Sequence, residues 1–159
     1  MLSEEYPDRL ASQHELAGAY QSDGQIERAV EILEHVVEVR ERTLYEEHPD
    51  RLASEHGLAV AYLSDDQIQQ AVELLEHVVA VECRTLNEDS ISRLESQYEL
   101  AIAYRSNGQT KQAVELLGHV VAIEGKILDE EDPNRLASHY ELAIAYRFNG
   151  QTEQSEELL

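Results

Sequence analysis

The sequence lacks most of the features on which secreted, membrane and redox-active proteins depend. Its 159 residues include a single cysteine, Cys83, and no tryptophan. An intrachain disulfide is therefore impossible, and a secreted scaffold held by disulfides is excluded. No apolar run approaches the roughly 18 residues of a membrane-spanning helix, and the first residues show neither the basic start nor the apolar stretch of a signal peptide. We expect a cytoplasmic protein.

Positive charge is also scarce. Lys and Arg total 12, whereas Asp and Glu total 33, which leaves a formal net charge of −21. Phosphate binding requires clustered Lys and Arg, so this balance argues against nucleic acid and against an anionic membrane surface as partners. If the charge attracts a partner, that partner is basic. The alternative is that the acidic residues only coat solvated helix faces.

The motifs of catalysis are missing as well. The sequence contains no glycine-rich phosphate loop, no nucleophile elbow and no His-Glu-x-x-His zinc motif. Asp and Glu are abundant, but none is predicted beside an apolar pocket that would raise its pKa. His35, His77 and His119 recur at equivalent positions on different predicted helices, whose axes lie at least roughly 8–10 Å apart, too far to share one ion. We predict no enzyme, no cofactor and no metal site.

What the sequence does contain is a repeat of 42 residues. The dipeptide Arg-Leu recurs at this period, beginning at Arg9, Arg51, Arg93 and Arg135. The motif Leu-Ala-x-Ala-Tyr ends at Tyr20, Tyr62, Tyr104 and Tyr146. Self-similarity at a fixed period indicates a repeat architecture, in which stacked units bury a shared core. We expect the four tyrosines to pack between helices.

Each repeat predicts two helices, A and B, with apolar residues spaced by three or four. In the first repeat, the apolar positions of helix A are Leu10, Leu16, Ala17, Ala19 and Tyr20. Those of helix B are Ile26, Ala29, Val30, Leu33, Val36, Val37 and Leu44. Proline near the start of helix A is compatible with its first turn, whether it precedes or follows the N-cap; it stands at Pro7, Pro49 and Pro133.

The turn between helices A and B is predicted from its glycine. Gly24, Gly108 and Gly150 each follow Asp or Asn, and Gly after a helix supplies the left-handed conformation that ends it. The second repeat has Asp65-Asp66 there, and if Asp66 keeps that conformation it costs up to about 1 kcal/mol relative to Gly.

Three further glycines, Gly57, Gly118 and Gly125, lie inside predicted helices, where each costs about 1 kcal/mol against Ala. Drift in a redundant array is sufficient to account for them. Cys83 is expected to be a passive surface thiol.

The pattern Leu16-Ala17-x-x-Tyr20, followed by Gly24, Ala29 and Leu33, resembles the signature of the tetratricopeptide repeat (TPR). The period of 42 and the linker from Arg42 to Asp50 look like the longer variant in kinesin light chains. Segments 50–54 and 109–117 are similar to the repetitive C-terminal TPR arrays of fungal NLR-like (STAND) signalling proteins. The resemblance implies an all-α, right-handed superhelical solenoid of antiparallel helix pairs. It implies one TPR domain over 1–159, with repeats of about 7–48, 49–90, 91–132 and a partial 133–159.

The resemblance also implies a function. TPR scaffolds bind proteins or peptides in a concave groove lined by helix A, so we expect the ligand-recognition or sensor repeats of a larger signalling protein. In the first repeat the implied groove positions are His14, Gly18 and Gln21, of which His14 is the candidate contact. The other candidate contacts are His56, Val60, Leu63, Tyr98, Ile102, Arg105, Tyr140, Ile144, Arg147 and Phe148.

Two alternatives remain open at this stage. Tyr98 and Tyr140 are interface anchors if exposed, but they are structural if they only cover neighbouring helices. The repeats could also serve self-assembly, since the last helix B is cut short at Leu159 and its open end could pack on another copy.

Overall fold

The structure is a computed structural model that describes residues 6–158. These residues form eight α-helices and no strand, so the all-α prediction is confirmed. Chain contacts divide the protein into two compact units, Met1–Val81 (unit 1) and Glu82–Leu159 (unit 2), with the boundary inside the fourth helix. Unit 1 holds α1 (Pro7–Ser22), α2 (Ile26–Thr43), α3 (Pro49–Ser64) and most of α4 (Ile68–Thr85). Unit 2 holds α5 (Ile91–Ser106), α6 (Thr110–Ile127), α7 (Pro133–Phe148) and α8 (Thr152–Leu158).

Prolines begin three of the helices. Pro7, Pro49 and Pro133 each occupy the first turn, after the N-cap residue, where a missing N–H removes no hydrogen bond. His48 caps α3 by accepting from the Asp50 amide at 3.1 Å, and Asp132 caps α7 by accepting from the Asn134 amide at 2.9 Å. In each of these helices the N-cap residue therefore precedes the proline.

The predicted turns are confirmed by their backbone angles. Gly24, Gly108 and Gly150 have φ of 77°, 80° and 75°. Asp66 has φ of 59°, so the second turn keeps the same left-handed geometry without a glycine. The Asp66 side chain therefore carries the steric cost expected from its position.

Each unit has its own apolar core, to which helix B contributes the most deeply buried leucines. In unit 1, Leu33 of α2 packs with Leu58 of α3, and in unit 2, Leu117 of α6 packs with Leu142 of α7. The period-defining tyrosines pack against these cores at their edges, as predicted; they are Tyr20, Tyr62, Tyr104 and Tyr146. Helix B and the helix A that follows it are therefore held together by the hydrophobic effect.

Two predicted core positions of the first helix A are wrong. Leu16 is 46% exposed, whereas Leu58, Leu100 and Leu142 at the same place in later repeats are only 3–4% exposed. Ala19 is likewise exposed. Leu58 and Leu142 are covered by the helix B that precedes them, and no helix precedes α1 within residues 6–158. Burial at this position depends on a neighbour rather than on the residue itself.

The recurring arginine of each Arg-Leu pair has a structural role that the sequence pattern did not assign. Arg51, Arg93 and Arg135 donate to the carbonyls of Leu44, Leu86 and Leu128 at 3.3, 3.1 and 3.0 Å. These carbonyls lie just after the end of helix B, where backbone acceptors have no partner within the helix. The arginine therefore fastens the end of helix B to the next helix A.

Candidate partner-binding surface

The aromatic candidates of unit 2 lie on two adjacent helices. Tyr98, Ile102 and Arg105 are on α5, and Tyr140, Ile144, Arg147 and Phe148 are on α7, which contacts α5. We call the set Tyr98, Glu99, Ile102, Arg105, Tyr140, Glu141, Ile144 and Phe148 the α5/α7 surface. Tyr140 is 59% and Phe148 67% exposed, so both rings are accessible to a partner.

Arg105 joins the two helices of this surface. Its Nη2 lies 3.1 Å from Oε2 of Glu141, and its guanidinium carbon lies 5.8 Å from the centroid of the Phe148 ring. The guanidinium is therefore held by a carboxylate and an aromatic face together, an arrangement that combines an ion pair with a cation–π contact.

Carboxylates outnumber cations around Arg105. Burial, and then the charges of Glu141 and Glu95, raise the pKa of Glu99. Burial together with Glu141 and Glu99 raises the pKa of Tyr98 to about 12. Within residues 6–158, Glu99 forms no ion pair, whereas Glu141 is paired with Arg105. Sequence reasoning missed these glutamates, although each directly follows a candidate tyrosine in the recurring Tyr-Glu-Leu.

The two tyrosines of the surface are not equivalent. Tyr98 is half-buried and packs against the core of unit 2, whereas Tyr140 is exposed. Ile102 and Ile144 are half-buried, and Arg147 is exposed. Tyr98 therefore serves in part to cover the helices next to it, which was one of the two alternatives for these tyrosines. The aromatic side chains that are exposed and can anchor a partner are Tyr140 and Phe148.

The equivalent positions of unit 1 carry histidines that lie close together. The Cε1 atom of His14 lies 3.0 Å from the place where a Cβ on Gly57 would stand, next to His56. Burial first and then Arg40 lower the pKa of His14; burial first and then His14 lower the pKa of His56. A Cβ at Gly57 would therefore crowd the imidazole of His14.

The remaining unit 1 candidates are less prominent. Val60 and Leu63 are half-buried on α3, as is Gln21 on α1, while Gly18 is exposed. Among the described residues, the exposed large aromatics of helix A therefore belong to unit 2.

The sequence-based expectation that no carboxylate has a raised pKa is wrong at the ends of helix B. Glu82 is 5% exposed, and burial raises its pKa to about 7, opposed by a hydrogen bond with Ser96 and the charge of Arg93. Burial also raises the pKa of Glu124, opposed by a hydrogen bond with Ser138. The unit 1 equivalent is Arg40, which donates to the Asp50 carbonyl at 2.7 Å.

His77 lies beside two carboxylates, the buried one of Glu55 and the partly exposed one of Glu46. Its Nε2 is 3.6 Å from Oε2 of Glu55 and 3.8 Å from Oε1 of Glu46. Glu55 is fully buried and pairs with Arg51 at 2.8 Å. Across the described part of the chain, no group of three His, Cys, Asp or Glu could hold a metal ion.

Two other surface features complete the description. A cleft of about 400 Å³ in unit 1 is lined by residues that include Arg51, Tyr62 and His77. Cys83 is exposed, as expected. From residue 6 to residue 158, no helix is long and apolar enough to cross a membrane.

These features agree with the family to which the sequence belongs. The family model of the tetratricopeptide repeat matches residues 8–82 and 92–159. The chain therefore belongs to the TPR family, whose repeats mediate protein–protein interaction or assembly. The predicted TPR solenoid fold is confirmed.

Solved structures give a closer resemblance. Two crystal structures, one of them a point variant, are of a Podospora anserina protein described as a kinesin light chain with nearly identical TPR-like repeats. Both are 57% identical to this chain and align with 99% of it. The alignment covers 75% of the chain in the first structure and 74% in the variant, with TM-scores of 0.87 and 0.89 respectively. The structure of BtubC from P. vanneervenii is 20% identical, and the alignment covers 97% of this chain and 62% of the BtubC chain with a TM-score of 0.85. At this identity the match shows the fold alone. No curated protein matches the sequence.

Proposed function

We propose that this chain is a protein-binding module and that a peptide or protein segment docks on the α5/α7 surface. The observation that carries the proposal is the exposure of Tyr140 and Phe148 on α7, beside the half-buried Ile144. Exposed aromatic residues with an arginine nearby have the composition of interface hot spots. The geometry supplies apolar anchors and charges on one surface.

We also propose the setting in which this binding occurs. The chain acts in the cytoplasm as ligand-recognition repeats of a larger signalling protein, and its role is recognition rather than catalysis. Support comes from the near-identical repeats shared with the Podospora protein and from the resemblance to NLR-like arrays. Helix A of unit 1, with His14, His56, Val60 and Leu63, is a separate candidate contact surface.

The experiment is a selection of binding peptides from a randomised library, with the wild-type chain as target. Each selected peptide is then titrated against a variant carrying Tyr140→Ala and Phe148→Ala. Truncating a single hot spot costs about 2 kcal/mol or more, so even if only one of the two residues is a hot spot we expect affinity to fall by about 30-fold or more. Since both side chains are exposed, thermal unfolding should change little.

The matched control carries Tyr6→Ala and Tyr45→Ala, which removes two exposed tyrosines outside the α5/α7 surface. This control should bind as the wild type does. Equal losses in both variants, or peptides that ignore the Tyr140 and Phe148 substitutions, would overturn the proposed site.

One observation favours self-assembly as a second candidate function. Leu16 presents an apolar side chain on α1 that is covered at the equivalent positions of later repeats. A second copy that covers this face would give a dimer or larger species in light scattering, and Leu16→Gln would return it to the monomer. A monomer over a wide concentration range would exclude this candidate.

A further inference from the structure

We infer that the α5/α7 surface receives an arginine or lysine side chain of the partner segment, held by the carboxylate of Glu99 beside the ring of Tyr98. The inference rests on the proposed function, since it specifies the chemistry of a partner bound at that same surface. It assigns to the glutamates a role in selecting a basic partner.

The charge balance of the surface is the first support. The charges of Glu95 and Glu141 both act on Glu99. The cation at this surface, Arg105, pairs with Glu141 at 3.1 Å. Glu99 is half-buried and forms no ion pair within residues 6–158. A carboxylate that is partly removed from water and unpaired gains more from a cation than a fully solvated one does.

The second support is that this surface already holds one guanidinium. Arg105 lies between the Glu141 carboxylate and the Phe148 ring, so a carboxylate and an aromatic face together bind a guanidinium here. Glu99 occupies on α5 the place that Glu141 occupies on α7, 42 positions later, and a tyrosine directly precedes each of them.

Complementarity of charge selects the occupant. The chain has 33 acidic and 12 basic residues, so an acidic segment would be repelled and a basic one attracted from a distance. Tyr140 and Phe148 are exposed on the same surface, and aromatic rings of this kind can cover the apolar stem of an arginine or lysine, which long basic side chains bury readily.

The test uses the peptides selected with the wild-type full chain. We expect them to carry Arg or Lys at a fixed position relative to their apolar residues. Replacing that Arg by citrulline, which has nearly the same shape without the charge, should weaken binding to the wild type about five-fold or more at 150 mM salt. Against Glu99→Gln the same replacement should change affinity less than about two-fold, because the charge partner is absent.

The matched control is Glu130→Gln, which removes the same formal charge from an exposed glutamate between α6 and α7. This variant should keep the full citrulline effect. If Glu130→Gln removes the effect as Glu99→Gln does, the attraction is general and the inference is wrong.

The outcomes separate the inference from the proposed function. Peptides that need Tyr140 and Phe148 but show no basic residue would contradict the inference and leave the proposed function intact. Peptides that need neither aromatic residue would contradict the proposed function. If Glu99→Gln loses helical content by circular dichroism, Glu99→Asp is used instead, because it keeps the charge on a shorter side chain. A citrulline effect that persists in full in Glu99→Asp supports the inference. Loss of the effect in that variant overturns it.

Discussion

Helix A carries different chemistry in the two units on nearly the same backbone. In unit 1, α1 and α3 present His14 and His56 around Gly57. In unit 2, α5 and α7 present Tyr98 and Tyr140 with carboxylates beside them. The difference shows that equivalent helix positions carry different chemistry in different repeats.

The buried ends of helix B differ in the same manner. Unit 1 has Arg40, held by the Asp50 carbonyl, where unit 2 has Glu82 and Glu124, each with a raised pKa. Histidines with lowered pKa values in unit 1 and carboxyls with raised pKa values in unit 2 make the units respond oppositely to acid. Acid should destabilise unit 1 and stabilise unit 2.

The largest expected effect concerns Glu82. Its pKa is about 7 in the folded chain against 4.5 in the unfolded chain, so between these pH values the folded state binds more protons. The free energy of unfolding of unit 2 therefore falls as the pH rises from 4.5 to 7, by on the order of 3 kcal/mol. Glu82→Gln should remove this loss and make the chain more stable than the wild type at pH 8, as measured by urea unfolding.

The control for this prediction is Glu88→Gln, at an exposed position between α4 and α5. It should leave the pH dependence unchanged. A Glu82→Gln variant with the same pH dependence as the wild type would show that ionisation of Glu82 costs nothing on folding.

The second prediction concerns the histidines of unit 1. Since the pKa values of His14 and His56 are lowered below 6.5 in the folded chain, the unfolded chain binds more protons below that pH. The free energy of unfolding of unit 1 should therefore fall as the pH drops below 6.5. Amide hydrogen exchange, corrected for intrinsic rates, should show that α2 is less protected at pH 5.5 than at neutral pH, whereas α6 is more protected. A common direction in both helices would contradict the comparison.

The third prediction tests the contact between His14 and Gly57. Apart from the adjacent residues and the nearby backbone of the same helix, no atom lies within 4 Å of the position that a Cβ added to Gly118 would occupy, so Gly118→Ala should stabilise the chain by about 1 kcal/mol through helix propensity. Gly57→Ala should fail to reach that gain, because its Cβ meets the imidazole at 3.0 Å. In a His14→Ala background the gain of about 1 kcal/mol should return. Equal gains in both backgrounds, from thermal unfolding, would contradict the contact.

The smallest expected effect concerns the turn at Asp66. Asp66→Gly should stabilise the chain by up to about 1 kcal/mol, because Gly adopts positive φ without the steric cost of a Cβ. The reciprocal change Gly24→Asp should destabilise by a similar amount. Both are read from the midpoint of urea unfolding at unchanged slope. Equal midpoints would mean that the Asp66 side chain compensates for its backbone cost.

Several features of the fold could be predicted from the sequence because they are local. The 42-residue period, the apolar spacing and the glycine turns predict helix pairs, and the left-handed conformation of Asp66 followed from its place in the repeat. The positions of the candidate surface also came from the repeat, through the family resemblance.

The charges of that surface, and which of its aromatic residues are free, could not be predicted in this way. Tyr98 and Tyr140 share a position, but one packs on the core and the other is exposed. Within residues 6–158, Arg105 pairs with Glu141, whereas Glu99 forms no ion pair. Such differences depend on the helix packed alongside, which the sequence of a single repeat does not specify.

The sequence by itself therefore determined the helix pairs and their turns, since these arise from hydrogen bonds and backbone angles within a few residues. Only the tertiary structure decided that Leu16 is exposed, that Gly57 makes room for His14 and that Glu82 is buried. The physical reason is that burial and pKa depend on atoms brought together from different helices, and identical residues in successive repeats meet different neighbours.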